Sequence, residues 1–249
     1  ISMKPQKDST AYRVEPFTED HTGHLSWGLL GNQILRCAGM HADARGFGFK
    51  DMIRSNHVWV LARLVIEMDR MPATGEGYAI ETWVTRVYRQ FTDRLFSIQA
   101  PGTDKPFGHA LSTWALIDLD TRRPRDLSTL PEGDISQYVC EEQVPIAEPS
   151  RIVVKAKEPV YTLTAGYSDL DVNGHVNSIR YLQMAMDLFS ATICGEGRRV
   201  RRAEMAYGGE SYVGDQLQFF TDGIVDNQAA VVIKRNGETV TTKITLVFE

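Results

Sequence analysis

Apolar and polar positions alternate between two periods along this chain, and the order in which they do so is repeated. Trp27, Leu30, Ile34, Cys37 and Ala38 recur at helical spacing, and Ser26 stands where an N-cap belongs, which predicts a helix over Ser26–Met40. A short strand is expected at Tyr12–Phe17, ahead of this helix. Gly46 and Gly48 mark a loop, after which the pattern turns to strands. His57–Met68, Tyr78–Tyr88, Phe91–Ala100 and Gly108–Leu119 are rich in β-branched, aliphatic and aromatic residues, with Lys105-Pro106 in the last turn. Within Tyr78–Tyr88 neither face is purely apolar, so the pattern does not say which face meets the core.

After Arg125 the periodicity lapses. Asp126–Lys157 holds Pro131, Pro145, Pro149 and several acids, and is expected to be a linker. A strand at Val160–Ala165 precedes a second helix, whose stripe is Ile179, Leu182, Met186, Phe189 and Ile193 and which Gly195 and Gly197 end. Strands follow at Val200–Tyr207, Gln216–Val225, Ala229–Arg235 and Thr239–Phe248, with Asn236-Gly237 as a hairpin turn. Strand, helix and several strands thus occur twice. The expected class is α+β, with an antiparallel sheet wrapped around one long helix in each half: an N-terminal domain over 1–125, a linker over 126–157 and a C-terminal domain over 158–249.

Composition narrows the function. A formal net charge of −5 argues against a general nucleic-acid binder. Cys37, Cys140 and Cys194 show neither metal-ligand spacing nor a disulfide framework, which fits a reducing compartment. Residues 1–10 are polar, read as a mobile leader without the apolar run of a signal peptide, and no stretch is long and apolar enough to cross a membrane. The expectation is a soluble, cytoplasmic protein. No metal or organic cofactor is indicated. A homodimer is compatible with the sequence, which does not set the oligomeric state.

The segment from Tyr167 to Tyr181 carries the candidate chemistry. Asp171, Asn173 and His175 fall just before or at the start of the second helix, where free backbone N–H groups and a partial positive charge can hold an oxyanion. A histidine there can move protons near neutrality, and a carboxylate can orient it. Taken alone, D-x-N-x-H reads as a helix cap beside an ordinary turn histidine. An echo, Asp20-His-Thr-Gly-His24, occurs in the first half, out of register with the helical stripes, and is read as non-catalytic.

D-V-N-G-H-V-N-S-I-R-Y resembles the signature of the acyl-acyl-carrier-protein thioesterases of plant plastids and bacteria. Trp114–Pro124 resembles that family's W-x-x-x-(D/N)-x-x-T-R-R segment, and Met205–Ser211 resembles its L-E-Y-R-R-E-C segment, with Gly208-Gly209 in place of the arginine pair. The three segments occur in the family's order, and the resemblance extends from about Tyr12 to the C-terminus. The lack of a transit-peptide-like segment suits the bacterial members. The resemblance implies a tandem hot-dog fold and hydrolysis of acyl thioesters on an acyl carrier protein to free fatty acid. It implies catalytic roles for Asp171, Asn173, His175 and Glu210.

Ser211 falls at the family's cysteine, as an alternative nucleophile or site residue. The favoured scheme has Glu210 as base for water, Asp171 orienting His175, and the N–H groups of Val176 and Asn177 holding the oxyanion. The first half is expected to supply the acyl pocket, with Trp27, Met40 and Phe49 as candidate lining. Arg198, Arg199, Arg201 and Arg202 form the densest basic cluster, with Arg122, Arg123 and Arg125 as a second, and either can dock an acidic carrier. Cys194 is read as buried packing. An acyl-coenzyme A thioesterase and a non-catalytic acyl-binding or regulatory module are the alternatives.

Overall fold

The computed structural model describes residues 6–103, 105–130 and 133–249. Of the polar leader expected over 1–10, residues 1–5 lie outside that range, as does Pro131 of the expected linker. The chain forms two compact units, 1–147 and 148–249.

In the first unit, β1 (Asp8–Arg13), β2 (His57–Met68), β3 (Gly77–Tyr88), β4 (Phe91–Gln99) and β5 (Pro106–Asp118) form an antiparallel sheet in the order β1-β3-β4-β5-β2. Helix α1 (Trp27–Asp43) buries Trp27, Leu30, Ile34, Cys37, Ala38 and His41, and Ser26 Oγ caps it by accepting from Leu29 N. A second short helix, α2 (Phe49–Arg54), follows the glycine loop; the sequence pattern gave no sign of it. The first strand is displaced from the expected Tyr12–Phe17 to Asp8–Arg13.

From Tyr78 to Val84, β3 is largely buried on both faces, and beyond it the strand emerges, with Arg86 and Tyr88 exposed. One face carries Tyr78, Ile80, Thr82 and Val84, on the α1 side. On the other, Trp83, Leu95, Leu111 and Val65 stand opposite one another across β3, β4, β5 and β2 in a single transverse row. Cys140, Val144 and Ile146 pack on that row. The backbone of this covering segment is anchored as well. Cys140 N donates to Val84 O at 2.8 Å, and Trp83 Nε1 donates to Glu142 O at 3.0 Å. Leu127, Leu130 and Ile135 are buried with Phe47, Met52 and Leu116. Residues 126–130 and 133–147 of the expected linker are therefore part of the first unit, and the boundary between units falls at Ala147.

In the second unit, β6 (Tyr161–Thr164), β7 (Val200–Tyr207), β8 (Gln216–Val225), β9 (Gln228–Arg235) and β10 (Thr239–Phe248) form an antiparallel sheet in the order β7-β10-β9-β8-β6. Helix α3 (Ser178–Asp187) packs on β7 and β10 through a face that includes Ile179, Leu182 and Ala185. It ends earlier than its stripe suggested: the chain leaves α geometry after Asp187 and forms a wider, π-type turn over Ala191–Gly195. Cys194 lies in this turn and is exposed, contrary to the expectation of buried packing. Asn236 and Gly237, with φ of 52° and 79°, make the expected β9–β10 hairpin turn.

Replacing Trp83 by Ala empties the centre of the transverse row and removes the indole bond to Glu142. The expected loss is about 3–5 kcal/mol of unfolding free energy, read from denaturant titration.

Candidate active site

The site is built from two loops of the second unit. The first, Asp171–His175, is a tight turn. Asp171 N donates to His175 O at 2.8 Å, Gly174 N donates to Asp171 O at 3.0 Å, and the Asp171 carboxylate accepts from Asn173 N at 2.8 Å. Gly174 holds φ of +75°, a left-handed conformation that favours glycine. Beyond the turn, Leu170 and Val176 bridge antiparallel, and Asn177 caps α3 by accepting from Ile179 N at 2.8 Å. Asp169 braces the base of the turn: its carboxylate accepts from Gly166 N and Arg180 Nε at 2.7 Å each, and its carbonyl accepts from Asn177 N at 2.8 Å.

The second loop follows β7. Gly208 lies so close to β10 that a Cβ there would come within 3.0 Å of the Val240 carbonyl oxygen, so the glycine at this place in the segment lets the loop hug the neighbouring strand. Next come Glu210, Ser211 and Tyr212. Val176 N donates to Ser211 O at 2.8 Å and ties the two loops together. Arg235 Nη1 donates to the Glu210 carbonyl at 2.8 Å, while the Asp215 carboxylate accepts from Tyr212 N and Asn236 Nδ2 at 2.8 and 3.0 Å. The loop is thereby clamped to the β9–β10 hairpin.

These constraints bring His175 Nδ1 to 3.7 Å from Glu210 Oε1. The two side chains are 29% and 32% exposed, open enough for a substrate to reach them. The Tyr212 ring stands edge-on to the imidazole at 5.0 Å, and its hydroxyl donates to Glu210 Oε2 at 3.0 Å. Sequence reasoning missed Tyr212 and Arg235. Tyr212 follows Glu210 by two residues and Arg235 immediately precedes the hairpin turn, but only the convergence of the loops gives either a role.

Several expected roles change. Asp171 does not orient the imidazole through its carboxylate, which caps Asn173 N; its link to His175 is through the backbone, and the carboxylate facing the ring is that of Glu210. The N–H groups of Val176 and Asn177 donate to Ser211 O and Asp169 O, so neither is available to an oxyanion. Asn173 is exposed at the turn tip. Ser211 is fully buried and faces the buried Tyr181 hydroxyl, whose pKa burial raises. Such a serine is not presented as a nucleophile.

Within the arginine cluster, Arg202 is buried and donates to Glu204 and Arg199 pairs with Glu249, whereas Arg198 donates to the uncharged Asn227 Oδ1. Arg201 is exposed. Among the described residues, no group of three or more His, Cys, Asp and Glu side chains converges closely enough to hold a metal ion. No helix among them is long and apolar enough to cross a membrane.

The echo at Asp20–His24 proves to be the same turn. Asp20 N donates to His24 O at 2.7 Å, Gly23 N donates to Asp20 O at 3.0 Å, Asp20 Oδ1 accepts from Thr22 N at 2.8 Å, and Gly23 has φ of +75°. The caps Ser26 and Asn177 stand at the same spacing from their turn aspartates, so the two turn–helix units are in register after all. The chemistry differs. His24 Nδ1 lies 3.0 Å from Thr22 Oγ1, and Glu76, the glutamate whose carboxylate senses His24, is held by Arg70 through both oxygens.

The first unit also contains a cavity of about 190 Å³ among α1, α2 and the sheet, lined chiefly by apolar residues that include Leu35, Ala38, Phe47, Trp59 and Trp114. Phe49 lines it as expected, whereas Trp27 is buried in the core and Met40 is exposed, neither lining it.

Residues 5–130 match the family model "Acyl-ACP thioesterase N-terminal domain" and residues 154–247 match "Acyl-ACP thioesterase C-terminal domain". The crystal structure of an acyl-ACP thioesterase from Bacteroides thetaiotaomicron superimposes with a TM-score of 0.91 at 46% identity, covering 98% of each chain. The 12:0-ACP thioesterase of Umbellularia californica shares the fold, with a TM-score of 0.86 at 18% identity over 100% of this chain and 99% of that one. The chloroplastic palmitoyl-acyl carrier protein thioesterase of Arabidopsis thaliana is 29% identical over 75% of this chain and 46% of its own length. The chain thus spans about half the length of that curated plant relative. With both family domains matched in order and nearly throughout, this chain belongs to the acyl-ACP thioesterase family.

Proposed function

We propose that this protein hydrolyses acyl thioesters carried on an acyl carrier protein, releasing the free fatty acid. The observation that carries the reading is the His175–Glu210 pair, 3.7 Å apart and partly open, on two loops joined by the Val176–Ser211 backbone bond. A histidine and a carboxylate so placed can divide the work of water attack. Glu210 takes a proton from water as its oxygen adds to the thioester carbonyl. His175 then stands beside the reacting centre to supply a proton to the departing thiolate as the C–S bond breaks. Tyr212 fixes the Glu210 carboxylate through its second oxygen, and Asn173, at the turn tip, is the side chain placed to meet the incoming thioester. Burial of Ser211 favours water over a covalent acyl-enzyme. The apolar cavity of the first unit suits the hydrocarbon chain. Three thiols that form no disulfide, Cys37, Cys140 and Cys194, support a reducing, cytoplasmic setting.

Glu210→Gln keeps the shape and hydrogen-bonding reach of the side chain but removes its basicity. The expected fall in turnover is about 10²–10⁴-fold, measured as fatty acid released from a panel of acyl carrier protein substrates, with coenzyme A thioesters alongside to compare donors. Glu210→Gln retaining turnover near the native level would count against Glu210 as base.

Tyr212→Phe keeps the ring against His175 and loses only the hydroxyl contact. A fall of about tenfold in kcat/KM is expected as the carboxylate loses a hydrogen bond that positions it.

A further inference from the structure

The cavity of the first unit is not uniformly apolar. Arg94, on β4, lines it and is only 6% exposed. Its side-chain contact is a 3.4 Å approach to Thr82 Oγ1, too long to count for much, and among the described residues no carboxylate pairs with it. The nearby acids are committed elsewhere. Asp93, next in sequence but on the opposite face, receives Arg86, Thr113 and Tyr88. Asp8 receives both terminal nitrogens of Arg45 at 2.7 and 3.1 Å. His41, which also lines the cavity, adds no further positive charge: burial and the neighbouring Arg94 push its pKa down to about 3, so it stays neutral. Burial and the Arg45 charge lower the Arg94 pKa, and Asp8, already bound by Arg45, offsets this only in part.

A buried cation whose nearest anion is already bound by a second arginine is costly, and its cost is relieved by a ligand that brings an anion of its own. We infer that the cavity takes an aliphatic carboxylate, its hydrocarbon against the apolar wall and its carboxylate on Arg94. This rests on reading the cavity as the acyl-chain pocket. Two sources share the chemistry: the fatty acid released by the reaction, and an acyl chain whose far end is itself carboxylated.

The test is calorimetric titration of the intact protein with octanoate, 1-octanol and octylamine. The unmodified protein is expected to bind octanoate at least about tenfold more tightly than 1-octanol, and octylamine least of all. Arg94→Met is expected to bind octanoate and 1-octanol alike, while its melting temperature stays at or above that of the native protein, since a well-packed apolar replacement relieves a buried charge. Equal binding of the three probes, or an octanoate preference that survives in Arg94→Met, would overturn the inference. Because the three probes compare charge on the unmodified protein, the result stands even should the variant not fold.

Turnover then separates the sources. Faster hydrolysis of a carrier-linked octanoyl chain bearing a terminal carboxylate than of the plain chain assigns Arg94 to substrate selection. Octanoate inhibition without that preference assigns it to the released product. Should no carrier thioester be hydrolysed, the functional reading fails, while the octanoate preference still reports on Arg94 alone.

Discussion

The backbone hydrogen bond from Val176 N to Ser211 O, at 2.8 Å, ties together the two loops that carry the candidate chemistry. It joins the turn that carries His175 to the loop that carries Glu210, and each side is stiffened separately. Asp169 and the Asn177 cap fix the turn to the start of α3, and Arg235 with Asp215 fixes the loop to the β9–β10 hairpin. Proton transfer demands placement of donor and acceptor to within a fraction of an ångström, which two floppy loops would not supply. The N–H groups first considered as oxyanion donors are used for this bracing instead. The helix N-terminus here is a scaffold for the histidine, and the cap that completes it is the Asn177 side chain.

The two units use one turn for different ends. Both have the aspartate-capped turn, the left-handed glycine, the histidine and a capped helix at the same spacing. In the second a glutamate, Glu210, faces the histidine, whereas in the first Glu76, which senses His24, is held by Arg70. The first instead contains a cavity, and it supports this by covering its sheet on both sides, with α1 on one face and residues 140–146 on the other. Arg94 is the exception in that apolar interior, a charge placed where packing alone would call for a hydrocarbon side chain.

Much of this architecture was legible because strands in half-buried sheets must be built from β-branched, aliphatic and aromatic residues. The bounds of β2, β7, β8 and β10 follow directly from such runs, and Asn236-Gly237 from the backbone that a two-residue hairpin requires. The displaced elements are those with least burial to mark them. β1, Asp-Ser-Thr-Ala-Tyr-Arg, is an edge strand with little apolar content, and α2 is six residues long between a glycine and an exposed loop. The supposed linker misled because its apolar residues, Leu127, Leu130, Ile135, Val144 and Ile146, are spaced by docking onto a preformed sheet and follow no helical or strand period. At the site, residue types were readable and partners were not. Asp171, Asn173 and His175 announce a turn, but that Glu210 faces the imidazole with Tyr212 beside it depends on two loops meeting in space. The same limit applies to the arginines at 198–202, where one-dimensional charge density gave no hint of Glu204 and Glu249.

The central claim is that His175 and Glu210 act as one unit on the thioester. A double-mutant cycle tests it most directly, with acyl-carrier-protein hydrolysis measured for His175→Ala, Glu210→Gln and the pair. Groups that act together fail together, so the double variant is expected to be no slower than the worse single variant by more than about threefold. Losses that multiply in full, each residue contributing independently of the other, would contradict the account.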